Sequence, residues 1–84
     1  MAERRTFLIE ARPEADIVLR VLAPFAVQGA QILHLAAEQG ADRTSIRLEA
    51  SGVGPDVAGL LVERLRAMPS VTTVGLGRRA GTRI

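Results

Sequence analysis

The sequence of 84 residues has no cysteine, which excludes a disulfide framework and any metal site built on thiolates. It has no Trp and no Tyr, and its two aromatics, Phe7 and Phe25, both sit in apolar patterns. A single-stranded nucleic acid would therefore find little to stack on. Lysine is missing as well. All 11 basic residues are Arg, and nine acidic residues leave a net charge of only +2. The high isoelectric point thus reflects the guanidinium pKa more than a strongly basic face. No apolar run approaches the ~20 residues of a membrane-spanning helix. Met1-Ala2-Glu3-Arg4-Arg5 leads into no long apolar segment of the secretory type. These absences set the expectation of a soluble cytoplasmic protein that binds neither nucleic acid nor membrane.

What is present suits one small globular domain: 48% hydrophobic and 24% charged residues. Basic residues gather at the two ends, as Arg4 and Arg5 and as Arg78, Arg79 and Arg83. The chain accordingly reads as an N-terminal arm over 1–5, a domain over 6–77 and a flexible Arg-rich tail over 78–84. Phe7, Ile9 and Ala11 alternate as on a strand. After Arg12-Pro13-Glu14 the period becomes helical, with Val18, Val21, Leu22 and Phe25 on one stripe. Pro24 lies inside that helix, and Gly29 stands where a left-handed cap ends it. A second strand is expected over 31–37, a hairpin loop over 39–42 and a third, cleanly alternating strand over 43–51. Pro55 and Asp56 open a second helix with an apolar stripe of Val57, Leu60, Leu61, Leu65 and Met68. A fourth strand over 71–76 completes the order βαββαβ. That order predicts a ferredoxin-like α+β fold, a four-stranded antiparallel sheet with two helices on one face. Leu8, Leu33 and Leu35 are expected on the open face, beside Arg47 and Glu49, where something must cover them.

Nothing in the sequence assembles a catalytic or metal site, and no cofactor is implied. His34 is the only histidine and has no Cys, His or paired carboxylate at ligand spacing; it reads as a packing or interface residue. Ser45, Ser51 and Ser70 lack a nucleophile elbow. The pairs Gly52/Gly54 and Gly75/Gly77 complete no phosphate-binding fingerprint and read as turn and strand-end chemistry. Glu10, Glu14 and Asp16 gather about the first strand–helix junction, where acidic residues suit the helix dipole and free N–H groups could meet a ligand carboxylate. An acylphosphatase-type enzyme would need a positioned Asn, and the chain contains none.

With these elements placed, the runs Glu10-Ala11-Arg12-Pro13, Leu19-Arg20-Val21-Leu22 and Phe25-Ala26-Val27-Gln28-Gly29-Ala30-Gln31-Ile32 resemble an ACT domain. More narrowly, they resemble the short regulatory subunit of acetolactate synthase (acetohydroxyacid synthase). The resemblance implies a non-catalytic subunit that pairs side by side with a second copy and activates the thiamine-diphosphate-dependent catalytic subunit. It also implies a small amino-acid effector, namely valine, leucine or isoleucine. The implied effector site comprises Arg12, Pro13, Glu14, Ala15, Asp16 and Ile17 from the first loop, and Gly29, Ala30, Gln31 and Ile32 from the helix-to-strand turn. The loop differs from the Asn/Asp-x-Pro-Gly pattern of many effector-binding members, having neither Asn nor Gly. A free-standing amino-acid-binding or protein-interaction module outside branched-chain amino acid synthesis is the alternative.

Overall fold

The computed structural model describes residues 4–78; of the tail expected over 78–84, Arg78 belongs to the last strand and the rest lies outside the described residues. The elements are β1 (Arg4–Ala11), α1 (Ile17–Val27), β2 (Gln31–Gln39), β3 (Thr44–Ser51), α2 (Pro55–Arg66) and β4 (Val71–Arg78). The four strands form one sheet in the order β2-β3-β1-β4, and every neighbouring pair is antiparallel. The ferredoxin-like expectation holds. Strand β1 begins at Arg4, inside the stretch expected to be an arm, and Arg5 is buried with its Nε donating to the Val53 carbonyl at 3.1 Å. Strand β2 extends through Gln39, which had been expected in the hairpin loop.

Alternation decides which face is covered. Phe7, Ile9 and Ala11 on β1 and Ile46, Leu48 and Ala50 on β3 are buried and face the helices. From α1 come Ile17, Val21 and Phe25, four residues apart along one stripe; from α2 come Ala58, Leu61 and Leu65. Phe7 and Phe25 meet edge-on, ring centroids 4.9 Å apart at 89°, the arrangement that the ring quadrupoles favour. Burying each such side chain contributes about 1.5–3 kcal/mol.

The helix ends follow from local chemistry. Gly29 takes φ 72° beyond α1. Its N–H donates to the Ala26 carbonyl at 3.1 Å and that of Ala30 to Phe25 at 3.0 Å, so two orphan carbonyls are satisfied as in a Schellman cap. In α2, Pro55 occupies the first turn, with Asp56 near the N-terminus and Arg64 and Arg66 near the C-terminus, each at the favourable end of the dipole.

Leu35 corrects one expectation. It pairs with buried Leu48, so it faces the helix side and not the open face. The cause is a bulge: Ile32 pairs with Ala50 and His34 with Glu49, so Leu33 is the extra residue and shifts the alternation by one. Leu8 does lie on the open face, opposite Arg47 and Gly75.

Two substitutions separate backbone strain from crowding, because a Cβ on Gly29 or on Gly59 would meet nothing within 4 Å. Gly59→Ala in the exposed helix is expected to stabilise by about 1 kcal/mol and Gly29→Ala to destabilise by about the same, since only Gly29 has positive φ. Urea midpoints will read both. The Thr44 hydroxyl oxygen is buried with no hydrogen-bond partner. Thr44→Val is expected to raise the thermal midpoint by the equivalent of about 1 kcal/mol, since it removes an unsatisfied group of similar shape.

Candidate functional site

The first loop leaves β1 at Ala11 and enters α1 at Ile17. Pro13 holds Arg12 out of the helical region, which delays the helix. Asp16 is the N-cap residue, yet its carboxylate makes no capping bond. It instead accepts from Arg20 Nε at 2.9 Å, one helical turn along. Arg20 also reaches Glu14 Oε1 at 3.4 Å. The same Glu14 oxygen accepts from Ser70 Oγ at 2.7 Å, and the Arg12 N–H donates to the Ser70 carbonyl at 2.8 Å. Ser70 is only 6% exposed. The loop is thereby strapped to the turn that precedes β4.

These bonds sort the residues expected in the site. Arg12, Ala15 and Asp16 are exposed, and Pro13 and Glu14 are half-buried. Ile17 is 1% exposed and belongs to the hydrophobic core. Gly29 and Gln31 are exposed; Ala30 is half-buried against the core, and Ile32 is partly exposed. The two groups are not brought together in one chain. They lie at opposite ends of α1, about 16 Å apart at ~1.5 Å per residue over 11 residues. Nor do the three carboxylates form one cluster. Glu10 points to the open face, where Ser45 Oγ donates to both its oxygens at 2.9 and 3.1 Å and Arg43 Nε lies at 3.6 Å.

Ser70 and Arg20 were not among the expected residues. Arg20 at four residues from Asp16 was a readable helix pair. Ser70 is 56 residues from Glu14, and only the β1–β4 pairing brings it there. A crevice of about 320 Å³ beside the strap is lined by Ile17, Arg20, Ala23, Met68, Pro69 and Ser70. A shallower depression of about 520 Å³ lies on the open face, lined among others by Leu8, Glu38 and Arg47. In each a serine hydroxyl is bound to a carboxylate, Ser45 to Glu10 and Ser70 to Glu14, and no histidine is among the lining residues. Among the described residues no three His, Cys, Asp or Glu side chains could hold a metal ion. His34 sits exposed on β2, opposite Glu49. No helix is long and apolar enough to cross a membrane among the described residues.

A family profile described as an ACT-like domain matches residues 2–82. No curated protein matches the chain in sequence. Solved structures do match in fold. The crystal structure of the ACT domain from GTP pyrophosphokinase of Chlorobium tepidum superposes with a TM-score of 0.79 at 13% identity, over 90% of this chain and 99% of that one. The C-terminal domain of the MgtC protein from Mycobacterium tuberculosis gives 0.77 at 16% identity, over 98% and 93%. The uncharacterized protein TM1266 from Thermotoga maritima gives 0.73 at 15%, over 93% and 98%.

Removing the strap tests its worth. Ser70→Ala is expected to lower stability by about 1–2 kcal/mol, the cost of losing a largely buried hydrogen bond to a carboxylate. Hydrogen exchange at the Arg12 amide should quicken more than at amides in the middle of β1.

Proposed function

We propose that this chain, which belongs to the ACT-like domain family, is a non-catalytic regulatory subunit that works as a homodimer and activates the catalytic subunit of acetolactate synthase. The observation that carries the homodimer is the edge strand β2. All nine of its residues are exposed, and its helix-side residues Ile32 and Leu35 are apolar. An open apolar edge is a template for pairing with another strand.

A two-fold axis perpendicular to the sheet would pair β2 antiparallel with β2 of a second copy and keep all four helices on one face. The start of one β2 would then lie beside the end of the other. That arrangement brings residues 29–32 of one copy to the same end of the joined sheet as residues 12–17 of its partner. The split site becomes whole only across the dimer. There, exposed Arg12 would take the carboxylate of valine, leucine or isoleucine through its planar fork, and Ile32 and Ala30 would meet the aliphatic side chain. An amino acid bound across two copies favours the paired state, and regulation follows if the catalytic subunit prefers one state over another.

One observation favours a second reading, a free-standing interaction module with no amino-acid effector: Glu14 and Asp16 are already engaged by Ser70 and Arg20.

Thermal melts with each branched-chain amino acid, and turnover of the catalytic subunit with and without this protein, distinguish the readings. A rise of the melting temperature that grows with the logarithm of concentration is expected, worth about 1.4 kcal/mol per tenfold excess over Kd. Arg12→Ala should weaken it at least tenfold. Turnover raised with no thermal response would leave contact-based activation. Neither response would remove acetolactate synthase and the effector together.

A further inference from the structure

We propose that the crevice between α1 and the turn leading from α2 into β4 is a binding site for a small uncharged molecule with an apolar body and a hydrogen-bonding head. Its volume of about 320 Å³ lies at the lower end of the ~300–1,000 Å³ of small-molecule sites. At ~30 Å³ per water it has room for a ligand of about ten non-hydrogen atoms. Ile17, Ala23, Met68 and Pro69 make its apolar wall, and Arg20 and Ser70 are the polar residues that line it. Ile17 is 1% exposed and Ser70 6%, so the crevice reaches down to the edge of the core. Water against such a wall has few partners, and an apolar group displaces it with a gain.

The wall is formed before any ligand arrives, which spares the cost of ordering it. Ile17 packs in the core with Val21 and Phe25. Ser70 is fixed by its bonds to Glu14 and to the Arg12 amide, and the ring of Pro69 locks its own φ. Helix α1 contacts β2 and α2 contacts β4, so the gap between the helices lies away from the β2 edge. The site belongs to a single chain and is independent of the dimer and of the effector site proposed above.

Charge selects the ligand. Arg20 donates from Nε to Asp16 Oδ2 at 2.9 Å and from Nη1 to Glu14 Oε1 at 3.4 Å. Two carboxylates against one guanidinium leave a surplus of negative charge behind the lining, which disfavours an anion. The charge on the lining itself is that of Arg20, which disfavours a cation. The positive end of α1 and the negative end of α2 both border the crevice and offset each other. A neutral head meets neither penalty. Among the described residues the Arg20 Nη2 group donates to no acceptor. The Ser70 hydroxyl donates to Glu14 Oε1 at 2.7 Å and keeps its lone pairs. The oxygen of a carboxamide or an alcohol can accept from Arg20, and its N–H or O–H can donate to Ser70.

Nuclear magnetic resonance titration of the purified full chain with benzamide, benzoate and benzylamine holds the apolar body constant and varies the head. Benzamide is expected to shift the methyl signals of Ile17, Ala23 and Met68, with benzoate and benzylamine weaker by about tenfold or more. It should also slow hydrogen exchange at the Arg12 amide, whose acceptor is the Ser70 carbonyl. Ala23→Leu, at an exposed position where circular dichroism should show the fold unchanged, fills the crevice and should abolish the remaining shifts. Arg20→Met removes the donor and leaves the two carboxylates unopposed, so benzylamine should overtake benzamide. Benzamide shifts that survive Ala23→Leu place its binding elsewhere and overturn the inference. Equal binding of the three heads overturns it too, as does no response to any of them. None of these outcomes bears on the thermal response to branched-chain amino acids, which tests the effector site.

Discussion

The edge-on contact of Phe7 with Phe25 fixes the rest of the molecule. Phe7 lies on β1, which has β3 on one side and β4 on the other, and Phe25 lies in the last turns of α1. Their meeting settles which face of the sheet the helix covers. It also settles how far along the sheet the first loop and the Gly29 turn fall. With α1 docked, the alternation of β1 and β3 leaves only one face able to receive α2. Everything that carries a functional reading here lies at the margins of that docking: the strap at the start of α1 and the edge strand beside it.

Much of this was legible in the sequence because it rests on short-range periodicity. Phe7, Ile9 and Ala11 announce a strand at period two, and Ile46, Leu48 and Ala50 announce another. Gly29 was readable as a left-handed cap because a positive φ suits glycine. What could not be read depended on pairing. Leu35 moved to the helix side through a single extra residue at Leu33, and bulges leave no local mark in composition. Arg5 looked like part of a charged arm, yet its stem is buried and its Nε finds the Val53 carbonyl, 48 residues away. The same distance problem hid Ser70.

The expected site was half legible for a related reason. The residue types in 12–17 and 29–32 are those that a resemblance can carry over. Their placement at opposite ends of α1 follows from the length of the helix, and the consequence appears only when a whole sheet with an open edge is in view. Ile17 is part of the packing that docks α1 and also lines the crevice beside the strap. The neighbouring loop residues are held by the strap to Ser70. Through it, a change at Glu14 is transmitted to the turn between α2 and β4.

The strand order has a consequence for the chain during its synthesis. Strand β1 is made first and stands in the middle of the finished sheet, but its neighbours are β3 and β4. At roughly 5–20 residues per second, the apolar row of Phe7, Ile9 and Ala11 waits several seconds for its last neighbour to emerge. Only α1 arrives early enough to shield it. An unusually greasy first helix is then also a companion for the nascent strand, covering one side of it before any hydrogen-bonded neighbour exists.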